Sequence, residues 1–305
     1  MENPAGEKAL TPTLKPRNAF IAFFLSLILP GLGQVYNGQP KKAILFFGLL
    51  MLIPLLFGLT NNVTFFYGLV TLVLVEVFFR IFVIVDAVRN AKCQNQYNLK
   101  TYNTWFYHFF IAIVMVAALW MFNTLSILGA QTFEMSSESN DPTLQVGDRV
   151  VADTKIYKSK DIAYGDLVVF NAPKGEKWIF RVAGLPNDTL ELNENILTIN
   201  GKQSKAIFIR ETTSNGFPIS EFIEKFPNGH QHHIFKFKKP YDSTKTTIKN
   251  IVVPAGRYYL LADNRDNAAD SRYIGSIKRN DILGQIMYSY WGKTTDRINI
   301  DFRGK

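Results

Sequence analysis

The first chemically suggestive feature of the sequence is a pair of serines, Ser137 and Ser139, followed directly by Asn140, Asp141 and Pro142. A serine hydroxyl acts as a nucleophile only where a neighbouring base takes its proton. Serine followed by Asp and Pro is also common in turns, where the hydroxyl is structural. Ser139 is therefore a candidate nucleophile whose role depends on whether a base lies beside it.

Two further clusters of polar residues could carry chemistry. His230, His232 and His233 lie close together and could bind a metal. No Cys accompanies them and a tight site needs three or four ligands, which favours a solvated loop and no metal site. Glu76 and Arg80 stand four residues apart inside an apolar run, so they share one helix face. Charges inside a membrane are often functional, but an internal ion pair is the simpler interpretation.

Composition divides the chain of 305 residues near Gln131. Almost all the long apolar runs precede that point, and charged residues in alternating, strand-like patterns follow it. We therefore predict a polar, flexible tail at 1–17, an α-helical membrane module at 18–130 and a mostly β domain at 131–305. Within the β domain, residues 203–250 are a possible second small lobe.

Four apolar runs make up the predicted membrane module. They cover residues 19–35, 43–59, 65–85 and 105–128. A helix needs about 20 apolar residues to cross the bilayer core, so the last two runs fit well and 43–59 fits marginally. Pro30-Gly31 interrupts the first run, which favours an interfacial or re-entrant hairpin over a full span. The module therefore has three to four hydrophobic segments.

Basic residues around these runs predict their orientation in the bilayer. Lys41 and Lys42 precede the second run, and Arg89, Lys92 and Lys100 separate the third from the fourth. Because cytoplasmic loops are enriched in Lys and Arg, the fourth run leaves the cytoplasm and the β domain lies outside it. The net charge of +9 is explained largely by these flanks. No nucleic-acid-reading motif accompanies it, so we expect no nucleic-acid partner.

Short strands are predicted at the start of the β domain. Residues 146–152, 166–171, 177–182 and 190–200 are each bounded by Gly, Pro, Asn or Asp. Asn200-Gly201 has the composition of a hairpin turn. These residues predict a fold in which short antiparallel strands position the serines.

Four segments of the β domain, taken in order, resemble the motifs of bacterial type I signal peptidases. These enzymes are membrane-anchored serine endopeptidases, and this chain would carry an extra N-terminal multi-spanning module. The family patterns are Ser-Met-x-Pro-Thr-Leu with Gly-Asp, a Gly-Asp strand start, Lys-Arg-Val-x-Gly-Leu-Pro-Gly-Asp, and Gly-Asp-Asn-Arg-Asp-Asn-Ser-x-Asp-Ser-Arg. The matching segments are 139–148, 164–170, 180–188 and 263–272. The resemblance covers about 134–200 and 251–291.

The resemblance assigns roles to the serines and shows what is missing. Ser139 stands at the nucleophile position, and Ser137 at the position whose hydroxyl helps to form the oxyanion hole with Ser139. The family base is a lysine kept neutral by burial, but here that position is Phe180. The serine that orients the lysine is replaced by Ala268, and the Met after the nucleophile by Asn140. The Ser-Lys dyad is therefore incomplete.

The charged residues of the family pattern are retained. Arg181, Asp263, Asp270 and Arg272 match residues that, in the family, form structural ion pairs near the site. Such pairs hold the fold and do not move protons. A retained scaffold with lost chemistry is the pattern expected of an inactive homologue.

The function predicted from the resemblance is that of a signal peptidase I family protein of the bacterial cytoplasmic membrane, acting on exported preproteins without a cofactor. Phe180 favours impaired catalysis. A second hypothesis is an active endopeptidase that uses Ser139 and an unrecognised base; Lys177 is a poor candidate, because odd separations on a strand point to opposite faces. A third is a peptide-binding or scaffolding membrane protein, and a fourth is a membrane module that carries the function itself.

Overall fold

The computed structural model describes residues 14–98, 103–121, 127–214 and 216–303. The chain forms two compact units. The N-terminal unit comprises Met1–Val63 and Tyr67–Leu128, and the C-terminal unit comprises Thr64–Phe66 and Gly129–Lys305. The last passage between the two units along the chain falls between Leu128 and Gly129.

Helices dominate the N-terminal unit. Those described are α1 (Ala19–Ile28), α2 (Leu32–Tyr36), α3 (Pro40–Leu59), α4 (Phe66–Cys93, whose first residue belongs to the other unit) and α5 (Trp105–Met121). Within the described chain, α3 and α4 are long and apolar enough to cross a bilayer, and α1 and α5 are shorter apolar helices. The run predicted at 105–128 continues past α5 into residues 122–126, which lie outside the described residues.

The segment 14–17, predicted as the end of a flexible tail, is structured. Strand β1 (Leu14–Lys15) pairs antiparallel with strand β2 (Tyr97–Asn98). The Arg17 amide then donates to the carbonyl oxygen of Gln94 at 3.0 Å, and the Arg17 side chain is buried. Asn18 caps α1, because its side-chain oxygen accepts from the amide of Phe20 at 2.8 Å.

The predicted bend at Pro30-Gly31 is confirmed. Helix α1 ends at Ile28, and Gly31 has a φ of 106°, a conformation that favours glycine. A Cβ at Gly31 would lie 2.9 Å from the carbonyl oxygen of Ala43, so the close approach to α3 also requires glycine. A helix of 10 residues spans about 15 Å, half of a bilayer core. Insertion of this hairpin into a membrane stays a prediction.

The C-terminal unit is mostly β. Its strands are β3 (Ala130–Glu134), β4 (Arg149–Asp153), β5 (Leu167–Asn171), β6 (Lys177–Gly184), β7 (Thr189–Asn193), β8 (Ile196–Ile199), β9 (Lys202–Gln203), β10 (Lys205–Ser214), β11 (Phe217–Lys225), β12 (Gln231–Phe237), β13 (Ile248–Val252), β14 (Arg257–Leu261), β15 (Ile277–Lys278) and β16 (Ile282–Trp291). Helix α6 (Ser271–Ile274) follows β14.

Three antiparallel sheets organise these strands. The largest has seven strands in the order β15-β14-β6-β5-β16-β4-β3, and the others have the orders β13-β7-β8-β9 and β10-β11-β12. Alternation along the central strands divides the core: Val168 and Phe180 join one buried cluster, whereas Leu167, Val169 and Ile179 join another. Phe180 therefore lies on a buried face of the largest sheet.

The strand predictions are mostly confirmed. The predicted strands 146–152, 166–171 and 177–182 correspond to β4, β5 and β6. The prediction of one strand over 190–200 is wrong, because Glu194 and Asn195 have φ values of 49° and 65° and form the turn between β7 and β8. The Asn200-Gly201 hairpin is confirmed between β8 and β9, with φ values of 50° and 76°.

The region predicted as a possible second lobe contains the three-stranded sheet β10-β11-β12. Its last strand, β12, is hydrogen-bonded to the segment that contains the fourth motif. The Phe235 amide donates to the Asp263 carbonyl oxygen, and the Arg265 amide donates to the Phe235 carbonyl oxygen, each at 2.9 Å. These two hydrogen bonds bring the histidines of β12 next to the charged residues of the motif.

Candidate active site

Ser139 lies in a tight turn that starts the first motif. The turn is anchored by Leu144, which is fully buried and whose amide donates to the Asn140 carbonyl oxygen at 2.9 Å. The Ser139 carbonyl oxygen accepts from the Asn264 amide at 3.1 Å, so the fourth motif also holds this turn. Ser137 Oγ donates to Ser139 Oγ at 3.3 Å. The two serines that the sequence singles out are therefore adjacent.

Ser137, Ser139 and Phe180 line one cleft of about 350 Å³, which we call the serine cleft. It lies between the segment that follows β3 and the start of β6. Its other lining residues are Phe133, Glu134, Met135, Ser136, Asn140, Glu176, Lys177, Trp178, Ile179 and Ala269. The structure thus brings the nucleophile position and the base position to the same cleft.

Apolar and aromatic side chains fill the space around the base position. Phe180 is buried, and its ring centroid lies 5.8 Å from that of Phe170 and 6.0 Å from that of Trp178. Ala268, at the position predicted for the orienting residue, packs against the buried cluster that contains Phe180. A phenyl ring cannot accept a proton, and an alanine methyl group cannot orient one.

Three charged residues that line the serine cleft, Glu134, Glu176 and Lys177, have hydrogen-bond partners of their own. The Lys177 ammonium donates to Asn171 Oδ1, and Lys177 is exposed. Strand alternation predicts that Lys177 points away, yet it does contribute to the lining. Glu176 accepts from Trp178 Nε1 at 2.9 Å, and Glu134 accepts from Arg149 at 3.2 Å. None of these contacts reaches Ser139 Oγ.

Asn140 connects the serine turn to the strand of the base position. Its side-chain amide donates to the carbonyl oxygen of Ile179 at 2.6 Å, and only 1% of the residue is exposed. Ile179 directly precedes Phe180, so this hydrogen bond fixes the distance between the turn and β6. The family-type methionine could pack here but could not donate such a bond.

The charged residues of the third and fourth motifs are arranged as buried pairs. Arg181 makes two hydrogen bonds to Asp263, at 2.8 and 2.6 Å, and both side chains are almost fully buried. Arg272 pairs with Asp270 at 2.8 Å, and Asp270 also caps α6. The Arg181 guanidinium keeps the pKa of Asp263 below its usual value, against the opposing effect of burial.

A third buried pair, Arg265 with Glu224, was not predicted from the sequence. Glu224 is fully buried on β11, and Arg265 Nη2 donates to it while Nε and Nη1 donate to the carbonyl oxygens of Ala262 and Asn195. Arg265 was visible inside the fourth motif, but its partner lies 41 residues away in the lobe. Only a tertiary contact identifies that pair.

The three histidines lie in a different cleft. His230, His232 and His233 line a cleft of about 390 Å³ together with Thr143 and Arg181, which we call the histidine cleft. None of the three is among the residues that line the serine cleft. No group of three or more His, Cys, Asp or Glu residues in the described chain is arranged to hold a metal ion.

Each histidine contacts a charged neighbour. His230 lies 3.2 Å from Arg181, His233 Nδ1 lies 2.7 Å from Glu221, and the buried His232 lies 3.3 Å from Glu224. Burial and then the Arg181 charge lower the pKa of His230 to about 4, and the same causes, in the same order, lower the pKa of His232. Both rings are therefore neutral at pH 7.

Glu76 and Arg80 lie on α4 in the N-terminal unit. Both line a third cleft of about 380 Å³ together with Leu50 and Leu72. No salt bridge of 4.0 Å or less joins them among the described residues. Their pairing in the membrane stays a prediction.

Comparison with known proteins identifies the scaffold. A family model described as signal peptidase, peptidase S26, matches residues 102–291. Signal peptidase IB of Staphylococcus aureus strain COL is 31% identical over 159 residues, which cover 52% of this chain and 76% of that protein. Signal peptidase I of Bacillus caldolyticus is 29% identical over 182 residues, covering 60% of this chain and 87% of that protein.

The chain belongs to the signal peptidase family, peptidase S26. The family match contains all the serine-cleft residues and both positions of the incomplete dyad. A crystal structure of a signal peptidase I from Enterococcus faecalis V583 is also matched, at 24% identity and a TM-score of 0.25, over 41% of this chain and 97% of that chain. The family assignment rests on the sequence matches.

Proposed function

We propose that this signal peptidase family protein binds the signal-peptide region of exported preproteins in its serine cleft but is impaired in cleaving it. Family membership supports the class of substrate. The impairment is supported by one observation, the buried phenyl ring of Phe180 at the position of the family lysine and in the same cleft as Ser139. A phenyl ring at that position cannot take the proton from the serine hydroxyl.

The shape of the serine cleft supports binding of an extended peptide. It is lined along one side by residues 133–137, which continue from the edge strand β3, and along the other by the start of β6. Edge strands offer unpaired backbone groups to a peptide that lies alongside them. Ala269 and Trp178 supply apolar surface that suits small side chains.

We also propose that the N-terminal unit is a membrane module of three to four hydrophobic segments. Helices α3 and α4 have the required length and apolarity. Because Lys41 and Lys42 begin α3 and Lys92 ends α4, both of these ends would face the cytoplasm. The C-terminal unit would then lie on the outer face of the bacterial cytoplasmic membrane, where exported preproteins emerge.

Parallel cleavage and binding assays test the proposal. The full-length protein in detergent is incubated with a preprotein that carries a small-x-small cleavage site, alongside Ser139→Ala and Ala269→Trp. We expect no Ser139-dependent cleavage, equal binding by wild type and Ser139→Ala, and weaker binding by Ala269→Trp, whose indole fills the cleft. Ala255→Trp, at an exposed alanine outside the cleft, is the matched control. Equal binding by both tryptophan variants would place the peptide elsewhere.

A further inference from the structure

A groove in the N-terminal unit has an apolar lining and a polar border. It measures about 480 Å³ and runs between α1 and α5. The apolar lining comes from Ile21, Leu25, Ile28, Leu32, Trp105, Phe109 and Ala112. Tyr36 and His108 contribute polar groups to the same groove. A ligand that fits must therefore combine an apolar chain with a polar head.

Arg17 places an unpaired positive charge next to this groove. Its guanidinium carbon lies 4.6 Å from the ring centroid of Tyr36 and 4.2 Å from that of Tyr97. Only 8% of Arg17 is exposed, and its Nε and Nη2 atoms have no hydrogen-bond partner among residues 14–98, 103–121, 127–214 and 216–303. No salt bridge among the described residues includes Arg17. A buried guanidinium without a carboxylate is costly, so the site is incomplete without an anion.

His108 supplies a second unsatisfied group. Its Nδ1 atom lies 2.7 Å from the carbonyl oxygen of Thr104, which can only accept, so Nδ1 carries the proton in the neutral ring. Nε2 is then an acceptor, and it is buried without a partner in the part of the chain that the structure describes. The His108 ring lies 6.0 Å from that of Tyr36, the same ring on which Arg17 stacks. The border of the groove thus requires one anion and one hydroxyl donor.

We propose that the N-terminal unit binds one anionic glycerophospholipid, with the phosphate on Arg17, a headgroup hydroxyl donating to His108, and an acyl chain in the groove. A phosphate accepts hydrogen bonds from the two unpartnered guanidinium nitrogens. A glycerol headgroup carries the hydroxyl that the imidazole requires. The acyl chain covers apolar surface of α1 and α5. This site is independent of the serine cleft and of the peptidase proposal.

Native mass spectrometry of the full-length protein, released from detergent micelles, measures the bound lipid. Phosphatidylglycerol is titrated into wild type, Arg17→Gln, Arg17→Lys, and Arg89→Gln, which removes one exposed positive charge from the same unit. We expect Arg17→Gln to weaken retention about tenfold or more, Arg17→Lys to weaken it less, and Arg89→Gln to match wild type. Equal retention by Arg17→Gln and wild type would overturn the proposal.

Further variants and lipids test the acyl-chain contact and the headgroup contact separately, without removing Arg17. Ala112→Phe fills the groove while Arg17 stays intact, and it should also lose the lipid; unchanged retention would contradict the acyl-chain part. Phosphatidylcholine is zwitterionic and lacks a headgroup hydroxyl, so it should bind wild type more weakly, and His108→Phe should narrow this difference. An unchanged difference in His108→Phe would contradict the hydroxyl contact. Full competition by inorganic phosphate would show a phosphate site without lipid, and equal binding of diacylglycerol would show an apolar groove only. Either result would overturn the proposal.

Discussion

The serine cleft and the buried network of arginine–carboxylate pairs both lie in the C-terminal unit, yet their functional side chains differ in how many partners they have. In the network, Arg181, Arg265 and Arg272 each have a carboxylate partner, and the pairs are almost free of solvent. In the serine cleft, the hydroxyl of Ser137 is the only side-chain partner of Ser139 Oγ among the described residues. The charged residues of the family pattern are retained, whereas the position proposed for the base holds Phe180.

This difference teaches that scaffold and chemistry are separable in this fold. A buried charge without its partner costs several kcal/mol, so losing one member of a pair would endanger the fold itself. Replacing a buried lysine by phenylalanine instead removes a desolvation cost and adds apolar contacts. The dyad can therefore be lost without loss of structure.

The largest effect is expected from breaking the network at Arg265. Arg265→Met leaves the fully buried Glu224 without its guanidinium, which should lower the free energy of unfolding by about 3–5 kcal/mol. Thermal and denaturant unfolding of the full-length protein measure this. The control is Lys249→Met, which removes an exposed charge and should change stability by less than about 0.5 kcal/mol. Equal effects would mean that the network does not hold the fold.

The next effect is a loss of stability at mildly acidic pH. The folded-state pKa of His230 is lowered to about 4, and that of His232 is also lowered. Below the unfolded-state value of about 6.5, the unfolded chain binds protons that the folded chain does not, so stability falls as pH drops from about 6.5 towards 4. Above about 6.5 this contribution is fully present.

Unfolding midpoints measured across this pH range check the prediction. His230→Gln removes one of the two histidines that take up a proton on unfolding. The fall in stability below pH 6.5 should therefore be shallower in this variant, and stability above pH 7 should be unchanged. A wild-type profile that stays flat down to pH 4 would show that burial and the Arg181 charge do not hold these rings neutral.

A smaller effect is expected at the link between the serine turn and β6. Asn140→Ala leaves the buried Ile179 carbonyl oxygen without its donor and should cost about 1–3 kcal/mol. Gln145→Ala, an exposed neighbour in the same segment, should cost far less. Denaturant unfolding compares the two variants. If they were equally stable, the hydrogen bond to Ile179 would not fix the turn.

The smallest effect is expected at Lys177, the amine that lines the serine cleft. Because its ammonium is exposed and bonded to Asn171, Lys177→Met should change stability by less than about 0.5 kcal/mol and leave any cleavage activity unchanged. Unfolding and peptide-cleavage assays measure both quantities. Loss of a wild-type cleavage activity in Lys177→Met would identify this lysine as a hidden base.

Local patterns in the sequence predicted much of the fold. Period-two alternation and turn residues identified β4, β5, β6 and the Asn200-Gly201 hairpin. Apolar length identified α3 and α4, and Pro30-Gly31 identified the bend. The turn at Glu194-Asn195 was missed, because its residues sit inside an alternating apolar pattern that continues on both sides.

Only those residues of the site that lie in a sequence motif were predicted. The serines and the altered position Phe180 follow from the motifs, and the structure places them in one cleft. How the lobe packs determines the pairing of Glu224 with Arg265 and the burial of His232. Glu224 and Arg265 are 41 residues apart, and no local sequence pattern predicts a contact over that distance. The hydrogen bond from Asn140 to Ile179 was likewise visible only in three dimensions.

Restoring the dyad tests the central claim most directly. Phe180→Lys with Ala268→Ser places an amine among the apolar side chains around Phe170 and Trp178, where burial should lower its pKa enough to make it a base near neutral pH. We predict that the double variant cleaves a small-x-small preprotein, that wild type does not, and that adding Ser139→Ala abolishes the gain. Cleavage by wild type that disappears in Ser139→Ala alone would contradict this account.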